Sequence, residues 1–179
     1  MKTCFNIKAL CYLNLILLFT VHVSNAQSQE MAIVDVNYPN SSGLKASLPV
    51  SLGLIEVDSE KNLSRSIKQA LVQNPEVTSI HLFLPTGNAS MDIGGTTYGS
   101  NEIIEQFHAE EFMSNNPNVT LLIYSCTLAK NAQGISLMED ISSVTGFNVA
   151  SCSSCNDLNE EFTFDYSVRP LTSYSNLFE

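Results

Sequence analysis

The chain is poor in positive charge: 8 Lys and Arg face 18 Asp and Glu across 179 residues, a formal net charge of −10. Affinity for a phosphate backbone rests on clustered Lys and Arg, and no basic stripe occurs here, so nucleic acid is excluded as a partner. An acidic excess of this kind serves solubility more often than binding. Other signatures are also lacking. There is no Gly-rich phosphate loop, and the acidic residues do not fall into a calcium-loop pattern. Zinc would want four ligands at useful spacing, and no second close cysteine pair accompanies Cys152 and Cys155. No metal and no cofactor are therefore expected. Internal repeats, low-complexity tracts and long blocks of like charge are absent as well.

The amino terminus carries Lys2 and Lys8, a largely apolar run from Ala9 to Val21, and the small residues Ser24, Asn25 and Ala26. A positive opening, a short apolar core and small residues at the cleavage positions describe a secretory signal. The run, about thirteen residues, falls short of the ~20 that a spanning helix needs. Cys11 sits inside it and not at its end, which argues against lipoprotein cleavage. Residues 1–26 are expected to be removed. Residues 27–179 then form one α/β domain, secreted to an extracellular or periplasmic space without membrane attachment.

Along that domain, compact apolar runs of strand length alternate with helical periodicity. Met31 to Val36, Leu52 to Val57, Val77 to Leu84, Val119 to Ser125 and Phe147 to Ala150 read as strands. Asn37 to Gly43 reads as a loop by its turn residues. Leu63, Ile67, Ala70 and Leu71 make one face of a helix ended before Pro75. Gly94 and Gly95 fit a tight hairpin turn between Asp92 and Tyr98. Ser100 is placed as the N-cap of a second helix bearing Ile103, Ile104, Phe107 and Phe112 and ending near Asn115, and a third carries Ile135, Met138, Ile141 and Val144 and stops at Gly146. Phe162 to Val168 alternates aromatic and polar residues, as an edge strand would. Helical crossovers of this length predict a three-layer α/β sandwich around a mostly parallel sheet.

Reacting groups and ligands in such a sheet gather at the carboxyl ends of the strands. Pro85, Thr86, Cys126, Thr127, Ser151 and Cys152 all follow directly on strand ends, so this is the candidate edge. Cys126 is the candidate nucleophile, but a thiol needs a neighbouring imidazole, cation or helix N-terminus to ionise. Lys130 and the following helix meet part of that need, yet neither protonates an amine leaving group. His81 lies four residues before Pro85, ~13 Å down the strand at ~3.3 Å per residue, out of reach of Cys126. A buried structural histidine is the simpler reading for His81, and packing or a disulfide the simpler one for Cys126.

Cys126, Cys152 and Cys155 make an odd count in the mature chain. In an oxidising compartment a structural Cys152–Cys155 bridge is favoured, with Cys126–Cys152 as the competing pairing. A redox pair of the C-x-x-C kind would sit at a helix start, and Asn156 to Glu161 does not continue as an apolar-periodic helix.

The segments Ala32 to Val36, Leu54 to Asp58 with its helix, Ser79 to Leu84 and Leu122 to Ala129 resemble, in that order, the bacterial domain of unknown function 4347. So does Gly134 with the helix after it, through Val144 to Ser151. The likeness spans roughly residues 31–170. It implies a caspase-like sheet and a place near the amino terminus of large, adhesin-like surface proteins. Its pattern is similar to caspase-like cysteine peptidases, in which a His-Gly pair ends the third strand and a cysteine ends the fourth. Cys126 matches that cysteine. The His-Gly position reads Pro85-Thr86, with Gly87 one step later, so the histidine is replaced.

These observations favour a non-enzymatic extracellular module whose strand-edge groove, at Thr86, Gly87, Cys126 and Thr127, docks a protein or surface component. The alternative is a cysteine hydrolase in which Cys126 recruits a base from elsewhere.

Overall fold

In the computed structural model, residues 29–59, 61–109, 118–157, 162–171 and 174–177 are described. The expected signal sequence and the end of the second long helix, with Phe112, lie outside these residues.

Six segments pair into one sheet: β1 (Glu30–Asp35), β2 (Gly53–Val57), β3 (Ser79–Phe83), β6 (Thr120–Ile123), β7 (Asn148–Ser151) and β8 (Tyr166–Ser167). Their order is β2-β1-β3-β6-β7-β8, parallel throughout except for the antiparallel β7–β8 pair. A small separate hairpin, β4 (Met91–Ile93) and β5 (Thr96–Tyr98), follows β3. Gly94 and Gly95 form its turn with φ of 59° and 79°. Such angles are open to glycine without steric cost, which is why the Gly-Gly pair falls there.

The helices are α1 (Ser41–Ser47), α2 (Leu63–Gln73), α3 (Ser100–Ala109) and α4 (Ala132–Thr145). Asn62 caps α2 by accepting from Arg65 N at 3.0 Å, and Asn131 caps α4 by accepting from Gln133 N and Gly134 N at 3.1 and 3.0 Å. Gly146 ends α4 in the left-handed conformation, as helix stops commonly require. No helix among the described residues is long and apolar enough to cross a membrane.

Register explains the two cores. Ile55, Ile33, Leu82 and Ile123 align in one row across the strands and meet Ile67, Phe107 and Met138 from α2, α3 and α4. The alternate row, Ala32, His81, Leu122 and Ala150, faces the other way. The core on that side draws on Leu44 of α1 together with Phe162 and Phe164 of the carboxyl-terminal segment. Right-handed crossovers produce this asymmetry. The chain first steps from β1 outward to β2 and afterwards always steps the other way, so α1 stands alone on one face. Three layers result, as expected, but one of them is a single short helix completed by an irregular aromatic segment.

Two local expectations change. Asn37–Gly43 is only partly a loop: Asn40 turns the chain with φ 54°, its carbonyl accepts from Leu44 N at 2.9 Å, and helix begins at Ser41. The edge strand shrinks to Tyr166–Ser167, because Phe162 and Phe164 lie down on the sheet instead of pairing with it.

Candidate functional site

β1 and β3 are neighbours whose outgoing connections depart in opposite directions, so a crevice opens between them at their carboxyl ends. A cavity of about 750 Å³ occupies this place. Tyr38 and Asn40 after β1, Thr86 after β3, Cys126 and Thr127 after β6, and Asn156 beyond β7 contribute to its wall.

Its polar floor is a triangle of hydroxyls. Thr86 Oγ1 lies 2.7 Å from Ser125 Oγ and 3.2 Å from Thr127 Oγ1, and the latter two are 3.1 Å apart. Thr127 Oγ1 donates to the Gly87 carbonyl at 3.0 Å, and Ser125 Oγ accepts from the N–H groups of Thr127 and Leu128 at 3.1 and 3.2 Å. These bonds tie the loops after β3 and β6 together. They also give each of these three hydroxyls a partner within the protein.

Cys126 is half-buried and is bonded to Cys155, with Cα atoms 5.3 Å apart. The expected Cys152–Cys155 bridge and its alternative Cys126–Cys152 are therefore both corrected: Cys152 is the free cysteine and is fully buried. Strand alternation is the reason. Cys152 continues the β7 pattern two residues after Ala150 and is driven onto the aromatic face with it. The chain then bends, and Cys155 returns across the sheet edge to the end of β6. Asp165 fixes that bend by accepting from Ser153 N at 2.5 Å and Ser154 N at 3.1 Å. Partial burial raises the Asp165 carboxyl pKa, but these donors outweigh it and hold the group below its ordinary value.

Of the expected groove residues, Thr86, Cys126 and Thr127 line the cavity, while Gly87 lies beside it as the acceptor for Thr127. His81 pairs in register with Leu122, four residues before Cys126. It is wholly buried, Nδ1 is 3.1 Å from Tyr124 Oη, and desolvation lowers its pKa to about 4. Glu30 Oε2, 4.0 Å from Nε2, favours a proton there, so Nδ1 accepts the Tyr124 O–H while that oxygen accepts from Leu177 N at 3.1 Å. Tyr124 in turn stacks on Phe83 with centroids 4.3 Å apart. Both rings are core, and Tyr124 also reaches the cavity wall. His108 is exposed on α3.

Sequence reasoning missed Tyr38, Asn40, Ser125 and Asn156. Only Ser125, directly beside Cys126, carried a local signal. Burial pushes the Tyr38 phenol pKa up to about 12, and its oxygen has no hydrogen-bond partner among the described residues. The described residues contain no cluster of three or more His, Cys, Asp or Glu that would hold a metal ion.

Fold and site together define a mostly parallel α/β domain with a cavity at its carboxyl edge that the disulfide-bonded Cys126 lines. The model of the domain of unknown function DUF4347 matches residues 31–156, and the chain belongs to that family. No curated protein and no solved structure matches it.

Proposed function

We propose that this chain is a secreted, non-catalytic domain on a caspase-like scaffold that attaches to a protein or other component of the cell surface through its carboxyl-edge cavity. The observation that carries the reading is the state of Cys126. A nucleophile needs a free thiolate with a base beside it; this sulfur is bonded to Cys155, and it shares the cavity wall with Pro85 and Thr86, neither of which is a base. Thr86 follows the third strand of the sheet and Cys126 the fourth, which supports the caspase-like likeness. Pro85 and Thr86, which occupy the His-Gly position, supply neither the base nor the acid that amide cleavage requires. What remains is a walled, polar-floored recess without a reacting pair, and recesses of this size suit recognition.

The test has two arms. Assayed against amide and ester substrates with and without reductant, the purified protein is expected to match its Cys126→Ser variant. In cell fractionation, Asn156→Arg combined with Asp157→Arg, both exposed at the cavity wall, is expected to move the protein from the surface fraction into the medium while its circular dichroism is unchanged. Reductant-dependent turnover lost in Cys126→Ser establishes the hydrolase alternative instead. Retention of the double variant at the surface removes the cavity from the attachment.

A further inference from the structure

We infer that Cys126, Cys152 and Cys155 form an internal thiol–disulfide exchange site, in which Cys152 displaces Cys126 from Cys155 and opens the cavity thiol. The inference does not depend on surface attachment.

Cys155 is the residue that both other cysteines contact, one through its sulfur and one through its backbone N–H. Cys155 is bonded to Cys126 at the end of β6. Cys152 Sγ accepts from Cys155 N at 2.9 Å, and that nitrogen is three bonds from the Cys155 sulfur. The free thiol is thus held against the residue that carries the central sulfur of the bond. The loop between them is not slack, because Asp165 grips both intervening N–H groups. Finally, the exits differ. Cys152 is 0 % and Cys155 6 % exposed, whereas Cys126 is only half-buried and lines the cavity.

The step balances without any added oxidant or reductant. Cys152 loses its proton and its Sγ attacks Cys155 Sγ. The Cys152–Cys155 bond forms as the Cys126–Cys155 bond breaks, the electron pair departs on Cys126 Sγ, and a proton returns there. One disulfide and one thiol exist before and after. The closed isomer carries its thiol in the core, and the open isomer presents it to the cavity.

Native-state alkylation tests this. The purified protein is treated with iodoacetamide without reductant, quenched in acid, digested without reduction and mapped by mass spectrometry. The expected product carries the label on Cys126 together with a Cys152–Cys155 disulfide. Cys152→Ala is expected to lower Cys126 labelling by at least about tenfold. The inference is overturned if the native protein is labelled on Cys152 with Cys126–Cys155 intact, if no cysteine is labelled, or if the variant labels Cys126 as fast as the parent. The parent map decides alone if the variant folds poorly. Hydrolysis assays and fractionation report separately on the attachment reading.

Discussion

At the scale of the residue, His81 is the group whose chemistry the fold most alters. Its pKa falls from 6.5 to about 4 through burial, so the unfolded chain binds a proton that the native one refuses. Stability from this source is complete above pH 6.5 and is lost as pH falls toward 4, on the order of 3 kcal/mol in all. Urea titrations at steps from pH 8 to pH 4 should show that slope in the parent and not in His81→Asn. Ser125 offers a second prediction. Its hydroxyl accepts two backbone N–H groups and contacts Thr86 and Thr127, so Ser125→Ala should cost about 1–3 kcal/mol in chemical denaturation. The separation of His81 from the edge was legible, because strand spacing alone sets it. The bonding partner of Cys126 was not, since proximity in sequence paired Cys152 with Cys155, whereas the bend held by Asp165 brings Cys155 to the end of β6.

At the scale of the element, helices and strands were legible wherever one physical pattern dominated. β1, β3 and β6 are largely buried on both faces and read as mainly apolar runs. Local polar contacts were harder to read. α1 follows a left-handed Asn40, which nothing in the composition announces, and two aromatic residues that alternate like a strand pack as a cover. α4 illustrates what such contacts contribute. Asn131 accepts two N–H groups at its start and donates from Nδ2 to the Asn88 carbonyl at 2.9 Å. Asn131→Ala should therefore destabilise by about 1 kcal/mol. Gly134 lets the helix lie directly on those carbonyls, and a Cβ there would stand 2.6 Å from Asn88 O. Backbone does not yield cheaply, so Gly134→Ala should lower the thermal midpoint more than Asn131→Ala does.

At the scale of the whole molecule, the Cys126–Cys155 bond joins positions 29 apart in sequence and closes a loop that contains α4 and β7. Closing a loop of this length restricts the unfolded chain by about 3–4 kcal/mol in the entropy model. Cys126→Ser with Cys155→Ser should lose close to that amount, measured as a shift of the urea midpoint. The other global feature is the aromatic segment from Phe162 onward. It covers Phe83 and Tyr124 and is pinned by Asn176 Nδ2 to Phe162 O and by Leu177 N to Tyr124 Oη. The family match ends at residue 156, before this segment begins. The shared stretch therefore builds a sheet with only half a roof. Any polypeptide made of that stretch alone leaves a greasy ceiling open to water, and must borrow a lining from whatever chain comes next or from a neighbour.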